Sequence, residues 1–175
     1  MTLAPHQADW APRAAREARR WAEVLGDNLL VVHHVGSTAI PWIAAKPIID
    51  LMPAVRDLAA LDAAEPAIRA LGYDWRGEFG LPGRRFCLLT DPRTGARLFH
   101  VHAYQAGSSE IDRHLAFRDY LLAHRDEALA YEAQKRAAAA AHPNDSLAYN
   151  GAKSDWIVAC QARALAWWPG VSGRA

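Results

Sequence analysis

The stretch "HHVGSTAIPWIAAKPIIDLMPAV", residues 33–55, decides the fold. Residues 29–34, which lead into it, are apolar and β-branched and predict a strand. Residues 47–54 are almost all apolar and predict a second strand, central in its sheet. Between them, Gly36 allows backbone amides to approach a ligand closely, and Ser37 adds a hydroxyl group. The turn is therefore either a phosphate-binding loop or an ordinary connection after a strand.

A single acidic residue, Asp50, interrupts the second apolar strand between Ile49 and Leu51. A buried carboxylate without a partner is costly, so a cation or a positive side chain must compensate it. Lys46, just upstream, is either that structural partner or a phosphate-binding residue. The other interpretation is that Asp50 binds a metal ion.

Two histidines in "RLFHVHAY", residues 97–104, lie two positions apart on a predicted strand. His100 and His102 therefore leave the same face of the sheet, and Phe99 and Val101 point to the opposite face, toward the core. Paired histidines ligate metals or contact phosphate, but they also occur on solvated sheet faces. If this strand lies beside the Asp50 strand, the three side chains form a plausible set of metal ligands, which His34 could supplement.

The remaining periodicity divides the chain into an α/β part, residues 1–105, and a helical part, residues 108–168, of one domain covering residues 1–175. Alternating apolar runs predict further strands at residues 73–75, 85–90 and 97–104, and "DPRTGA" predicts a hairpin between the last two. Helical spacing predicts helices at residues 8–25, 57–71, 109–124, 126–141 and 145–168. Their expected caps and ends are Gly26, Asp57, Gly72, Asp145 or Ser146, and Pro169-Gly170. The fold class is therefore α+β, a mixed sheet with flanking helices and a C-terminal helical subdomain packed as one unit.

Several cationic side chains fall on predicted helix faces or at a strand start. A lysine on the inner face of a helix usually extends its side chain so that the ammonium group reaches solvent. The alternative is an anion clamp in a cleft. The candidates for such a clamp are Arg84, Arg85, Arg118, Lys135 and Lys153.

Composition excludes several classes of protein. The chain of 175 residues is 51% hydrophobic and 22% charged, with net charge +1, so it has no global attraction to nucleic acid. No apolar run approaches the roughly 18 residues of a membrane helix, and no signal peptide is recognisable. Its two cysteines, Cys87 and Cys160, are too few for a disulfide framework and are expected to be buried thiols. A cytoplasmic protein is expected.

The chain as a whole resembles the GrpB family, over about residues 8–165. The resemblance is carried by "HHVGSTAIPWIAAKPIIDLMPAV", "GRRFCLLTD", "FHVHAY", "RHLAFRDYLLAHRDEALAYEAQK" and "YNGAKSDWI", in the same order. The family is regarded as a branch of the DNA-polymerase-β-like nucleotidyltransferase superfamily. Related domains occur fused to dephospho-CoA kinase.

The resemblance implies site residues one by one. The superfamily has a Gly-Ser turn, a spacer of about a dozen residues, and then Asp-x-Asp/Glu, with a third carboxylate on a later strand. Gly36-Ser37 match the turn, and Asp50, after the twelve residues 38–49, matches the first carboxylate. Met52 occupies the position of the second acid, and His100 and His102 stand on the later strand. Two carboxylates normally hold the metal ions of nucleotidyl transfer, so this departure weakens the case for catalysis.

Three functions follow as hypotheses. The first is a divergent nucleotidyltransferase, with Asp50 catalytic and binding Mg²⁺ or Mn²⁺, less favourably Zn²⁺, together with His100 and His102. The second is a non-catalytic domain that binds a nucleotide or another small anion in a degenerate site. The third is a histidine-based transition-metal site for hydrolysis. The expected partner is a nucleotide or another phosphate-bearing small molecule; binding to a membrane or to nucleic acid is not expected. The seven tryptophans are compatible with an apolar surface for a homodimer.

Overall fold

The computed structural model describes residues 2–169, with the side chain of Ser146 excepted. Seven helices occur in these residues: α1 (Trp10–Leu25), α2 (Leu58–Ala63), α3 (Glu65–Ala70), α4 (Ser109–Ala123), α5 (Arg125–Ala141), α6 (Ser146–Ala152) and α7 (Ser154–Trp167). Five strands accompany them: β1 (Leu29–Val35), β2 (Ile49–Val55), β3 (Tyr73–Trp75), β4 (Arg84–Thr90) and β5 (Arg97–Gln105). No helix of the described residues combines the length and the apolarity needed to cross a bilayer.

The strands form one mixed sheet in the order β1-β2-β5-β4-β3. β2 pairs antiparallel with β1 and parallel with β5, so both of its edges are hydrogen-bonded, as its apolar sequence predicts. The predicted hairpin is confirmed, because β4 and β5 are antiparallel neighbours. The fold class, a mixed sheet flanked by helices, is thus confirmed.

Two predicted helices are each broken into two. The helix predicted at residues 57–71 becomes α2 and α3, because Pro66 lies in the first turn of α3 and cannot continue a preceding helix. The helix predicted at residues 145–168 becomes α6 and α7, and the break falls at Lys153. The predicted caps Asp57 and Asp145 are confirmed by side-chain hydrogen bonds to backbone amides. α7 ends at Trp167, and Gly170 lies outside the described residues.

The described chain divides into two compact units. The sheet unit comprises Ala8–Val35 and Ile48–Ile111. The helical unit comprises the described residues up to Gln7, Gly36–Pro47, and the described residues from Asp112 onward. The loop between β1 and β2 therefore belongs with the C-terminal helices, although its sequence position assigns it to the α/β part. That the chain forms a single domain stays a prediction.

In the sheet unit, helices cover one face of the sheet. The guanidinium of Arg13 in α1 lies 5.9 Å from the ring centroid of Phe99, and Arg85 of β4 is hydrogen-bonded to Asp62 of α2. Phe99 and Arg85 therefore mark the helix-covered face. Val101 and Ala103, which alternate onto this face, are fully buried. The other face is free to carry polar groups.

The helical unit has its own apolar core. Ile40 and Ile43 from the β1–β2 loop are buried in the same cluster as residues of the C-terminal helices. This packing explains why a loop that follows a strand has a fixed conformation. The helical members of the cluster are Ala116, Tyr120, Leu121, Ala128, Tyr131, Cys160 and Ala164.

Candidate functional site

Parallel pairing of β2 and β5 brings Asp50 beside the two histidines. The Cα atoms of Asp50 and His100 are register partners, and His102 follows two residues later on the same face. One carboxylate oxygen of Asp50 lies 3.5 Å from Nδ1 of His100 and 3.5 Å from Nε2 of His102. The structure thus brings these three predicted residues together.

The three side chains are arranged as metal ligands would be. One donor atom from each lies within 4.8 Å of the others, and no other such group of His, Cys, Asp or Glu occurs in the described residues. The side chains are 27% (Asp50), 31% (His100) and 17% (His102) exposed, so a cation can reach them. One carboxylate and two imidazoles on a sheet face form a facial set with open coordination positions.

The histidines also set the ionisation of Asp50. Burial alone would raise the pKa of this carboxyl group, since the charged form loses hydration. Hydrogen bonds and charges from His100 and His102 outweigh burial and hold the pKa well below its ordinary value of 3.8. The carboxyl group of Asp50 is therefore ionised at neutral pH.

The sheet register shows which neighbours share the Asp50 face. Val35 is opposite Asp50 and His33 is opposite Met52, so His33 points to this face. His34 is opposite Leu51 and points to the other face, so the expectation that it supplements the ligands is wrong. Met52 shares the Asp50 face and is fully buried, which leaves one carboxylate in β2.

The two adjacent arginines of β4 leave opposite faces. Arg84 pairs with Tyr104 and therefore shares the Asp50 face, whereas Arg85 points to the helix-covered face. One guanidinium nitrogen of Arg85 lies 2.7 Å from a carboxylate oxygen of Asp62. Arg85 is thus engaged in an ion pair with Asp62, and Arg84 is the arginine of β4 that shares the Asp50 face.

An aromatic ring that the sequence analysis does not include among the site residues lies beside His100 and His102. Phe86 pairs with His102 in the β4–β5 ladder, and its ring centroid lies 5.0 Å from that of His102 and 5.6 Å from that of His100. The guanidinium of Arg84 stands 4.7 Å from the same ring. The sequence does carry a signal for this ring. Arg84 and Phe86 are two residues apart on β4 and so share a face, but only the pairing of β4 with β5 shows that this face is the one with the histidines.

In the helical unit, the Gly-Ser turn has a conformation that requires glycine. Gly36 has φ 71° and ψ −171°, a region essentially restricted to glycine. Ser37 begins a short 3₁₀ helix, Ser37–Ala39, and its hydroxyl donates a hydrogen bond to the hydroxyl oxygen of Tyr131 at 3.3 Å. The motif residues are therefore fixed by the backbone and by α5.

Lys135 of α5 does not snorkel to solvent. Its side chain is 2% exposed, and its ammonium group donates a hydrogen bond to the carbonyl oxygen of Ala44 and lies 4.6 Å from the ring centroid of Tyr131. The carboxylate of Glu132 accepts a hydrogen bond from the backbone amide of Ala44. Burial is the main reason that the pKa of Lys135 is lowered to about 7; the negative charge of Glu132 opposes this shift, and the positive charges of Lys153 and Arg136 add to it.

Two more lysines of the helical unit share one tyrosine ring. Nζ of Lys46 lies 3.8 Å, and Nζ of Lys153 5.0 Å, from the ring centroid of Tyr149. Because α6 ends before Lys153, this lysine lies at the break between helices and not within a helix. Burial lowers the pKa of Lys46 and raises that of Tyr149. We call Lys46, Lys135 and Lys153 the lysine cluster.

Arg118, the remaining predicted cation, has a carboxylate partner. Its guanidinium lies 2.8 Å from a carboxylate oxygen of Asp119, whose other oxygen accepts a hydrogen bond from the indole of Trp168. Arg118 is thus engaged with the C-terminal helices of the helical unit.

Comparisons with known proteins agree on one family. A family model described as GrpB protein matches residues 1–163. UPF0157 protein YqkA of Bacillus subtilis (strain 168) is 39% identical over 158 residues, which cover 90% of this chain and 45% of that protein. A protein of Mycolicibacterium paratuberculosis named dephospho-CoA kinase is 30% identical over 190 residues, which cover 94% of this chain and 46% of that protein. The chain spans less than half the length of both relatives.

A solved structure has the same fold. The crystal structure of conserved protein GrpB from Enterococcus faecalis matches with a TM-score of 0.88 and 37% sequence identity. The match covers 94% of this chain and 98% of that one. Because the family model spans nearly the whole chain and a solved family member shares its fold, the chain belongs to the GrpB family.

Proposed function

We propose that this protein binds a divalent metal ion and a phosphate-bearing ligand, as a divergent member of the nucleotidyltransferase-like proteins. The observation that carries the proposal is the convergence of Asp50, His100 and His102 within 4.8 Å on a partly exposed sheet face. An ionised carboxylate with two imidazoles is a donor set that binds cations. The Gly36-Ser37 turn, which matches the Gly-Ser turn of the nucleotidyltransferases in sequence, supports the same class of function.

The donor set favours particular cations. Mg²⁺ prefers six oxygen ligands and Mn²⁺ also suits carboxylate and water oxygens, whereas imidazole nitrogen suits Zn²⁺ and other transition ions. Asp50 would supply the negative charge, and His100 and His102 would supply neutral nitrogen donors. A bound cation would supply Lewis-acid chemistry toward a phosphate oxygen. The two imidazoles therefore change the expectation drawn from the sequence, which put Mg²⁺ or Mn²⁺ before Zn²⁺: the expected ion is now Mn²⁺ or Zn²⁺, and Mg²⁺ is the least favoured.

The lysine cluster supports binding of a phosphate ligand. Lys46 has no carboxylate partner among the described residues, and Lys46 and Lys153 lie on one ring. Like charges in proximity repel, and a polyanion relieves the repulsion by charge-assisted hydrogen bonds. The relative named dephospho-CoA kinase points in the same direction, since its name denotes action on a nucleotide-bearing molecule.

The second candidate is a non-catalytic domain that binds the same ligands. The buried Met52 favours it, because β2 then offers one carboxylate where two would hold a pair of metal ions. Nucleotide binding is expected in both candidates. Transfer of the nucleotidyl group to an acceptor is expected only in the first.

Titration calorimetry with Mn²⁺, Zn²⁺ and Mg²⁺ tests the metal site. Wild-type protein is expected to bind one Mn²⁺ or Zn²⁺ ion per chain. Asp50→Asn is expected to weaken metal binding by more than about 100-fold, which exceeds the effect of removing a residue that only hydrogen-bonds to a metal ligand. Asp74→Asn removes an exposed carboxylate outside the site and serves as the matched control. Undiminished binding by Asp50→Asn would refute the site assignment.

A second measurement separates the two candidates. Nucleoside triphosphates labelled at the α-phosphate are incubated with protein, metal and a cell extract as the source of acceptors. Label transfer that disappears in Asp50→Asn but persists in Asp74→Asn supports the enzyme. Binding of the nucleotide without transfer supports the binding domain, and absence of both binding and transfer contradicts both candidates.

A further inference from the structure

The loop between β3 and β4 holds an exposed aromatic residue in an unusual backbone conformation. Its sequence is "RGEFGLPG", residues 76–83, with glycines at 77, 80 and 83. Phe79 has φ 45°, and no other non-glycine residue of the described chain has a positive φ. Bulky side chains rarely adopt this region, and such conformations persist only where the surrounding structure imposes them.

Hydrogen bonds to the loop impose the conformation. The guanidinium of Arg84 donates to the carbonyl oxygens of Glu78, at 3.2 Å, and of Phe79, at 2.8 Å. The backbone amide of Gly83 donates to a carboxylate oxygen of Glu78 at 2.6 Å. Arg84 is 8% exposed, so its two bonds to the loop are partly shielded from competing water. The loop thus holds its aromatic residue in one position.

The ring of Phe79 is part of a stack that reaches the metal ligands. It is parallel to the ring of Phe86, with centroids 5.4 Å apart and an angle of 22° between planes. Phe86 in turn contacts the rings of His100 and His102. Phe79 itself is 61% exposed, so one side of its ring is covered by Phe86 and the rest is open. The stack ends in an aromatic surface with room for another ring.

We propose that Phe79 is a stacking platform for the planar heteroaromatic ring of the ligand, such as a nucleobase. The proposal rests on the proposed function, because the stack adjoins the candidate metal ligands, and the platform is built only from residues of the sheet unit. Offset stacking favours flat rings, because the ring faces and edges carry opposite partial charges. The exposed large apolar side chains of this loop are Phe79 and Leu81, and two side chains offer far less area than a protein interface.

A stacking surface of this kind is expected to accept different nucleobases. Every base has a flat face, so stacking on Phe79 alone discriminates weakly between them. The neighbouring hydrogen-bonding groups of the loop are already engaged by Arg84 and Glu78. We therefore expect adenosine, guanosine, cytidine and uridine to bind with affinities that follow ring size.

Nuclear magnetic resonance titrations with these four nucleosides, which carry no phosphate, test the platform directly. Phe79→Leu keeps a large apolar side chain but removes the ring, and it is expected to weaken nucleoside binding by about 5- to 150-fold. Phe79→Trp is expected to retain or strengthen binding. Leu81→Ala, another exposed apolar residue of the loop, is the control that keeps Phe79.

Mn²⁺ and Zn²⁺ binding is measured in parallel on the same variants. Loss of nucleoside binding in Phe79→Leu with metal binding intact supports the platform. Equal nucleoside binding by wild type and Phe79→Leu, or no nucleoside binding by wild type, overturns the platform while metal binding still tests the proposed function. Stacking on Phe79 in a protein that binds no metal supports the platform and contradicts the metal site.

Discussion

The ammonium group of Lys135 donates a hydrogen bond to the carbonyl oxygen of Ala44, inside the helical unit. Two effects act on an amine in this position. Burial disfavours its charged form, and the buried carbonyl oxygen requires a hydrogen-bond donor. A pKa lowered to about 7 follows chiefly from the burial. The bond therefore makes stability depend on pH.

Stability is expected to rise with pH above about 7 through Lys135. Its pKa is lowered from 10.5 in the unfolded chain to about 7 in the folded protein, so the unfolded chain binds more protons between these values. The penalty for burying the charge is thus fully present below pH 7 and is relieved as the pH rises, by up to about 1.4 kcal/mol per unit. Urea unfolding between pH 7 and 8.5 measures this slope.

Lys135→Met is the matched variant, since methionine fills the space without a titratable group. The stability of wild type relative to this variant should increase with pH across the window. A difference independent of pH would contradict the lowered pKa. A soluble polyphosphate should flatten the slope in wild type if the lysine cluster binds it, because a bound anion favours the charged lysine.

Asp50 is expected to produce a pH dependence of the same sign at low pH, where stability falls as the pH falls. Its pKa is lowered in the folded protein, so the stability from its bonds to His100 and His102 is present above 3.8 and is lost as the pH falls below that value. Asp50→Asn should lack this component. Acid unfolding followed by circular dichroism measures it, and identical acid transitions in both proteins would show that the carboxylate is not bonded to the histidines.

Gly36→Ala is expected to destabilise the protein by about 1 to 3 kcal/mol. The conformation at φ 71° and ψ −171° is essentially closed to residues with a Cβ atom. Gly151→Ala is the control, because Gly151 lies in α6 with no atom near an added Cβ, and alanine favours helix. Thermal unfolding should show loss in the first variant and none in the second. Equal effects would mean that the turn relaxes.

Met52→Glu is expected to unfold the protein and not to restore a two-carboxylate site. Met52 is fully buried, and a glutamate there would be a buried charge beside the carboxylate of Asp50. An uncompensated buried charge costs about 3 to 5 kcal/mol. Met52→Leu, which conserves volume, should cost less than about 1.5 kcal/mol. A stable Met52→Glu protein that binds a second metal ion would overturn this expectation.

Phe79→Gly is expected to be more stable than Phe79→Ala by about 0.5 to 1 kcal/mol. Neither variant has a ring, so the comparison isolates the backbone conformation at φ 45°. Glycine adopts positive φ freely, which outweighs its larger entropy loss on folding. Denaturant unfolding of both variants gives the difference. Greater stability of the alanine variant would indicate that the loop changes conformation once the ring is removed.

Local patterns in the sequence predicted most of the elements. Alternation placed His100 and His102 on one face, and caps such as Asp57 began helices where expected. The break at Lys153 was missed, because no proline marks it and the helical periodicity continues across it. The break at Ala64 has a signal in the sequence, because Pro66 cannot continue a preceding helix.

The candidate site was predictable only in part, since its geometry depends on strand order and register. Asp50 and His100 could be listed from composition and spacing, but their proximity required β2 and β5 to be neighbours. His34 was preferred to His33 because sequence gives no register, and a shift by one residue exchanges the faces. The Phe79 platform depends on a backbone angle and on Arg84, which no spacing rule indicates.

The parallel pairing of β2 with β5 also determines when the three candidate metal ligands come together during folding. A parallel pair cannot close through a tight turn, so the chain from Asp50 to His100 must loop across the sheet first. Contacts of such sequence separation form late and slowly. The unfolded chain therefore has no preformed set of ligands, and an added metal ion should raise the melting temperature by binding only the folded state.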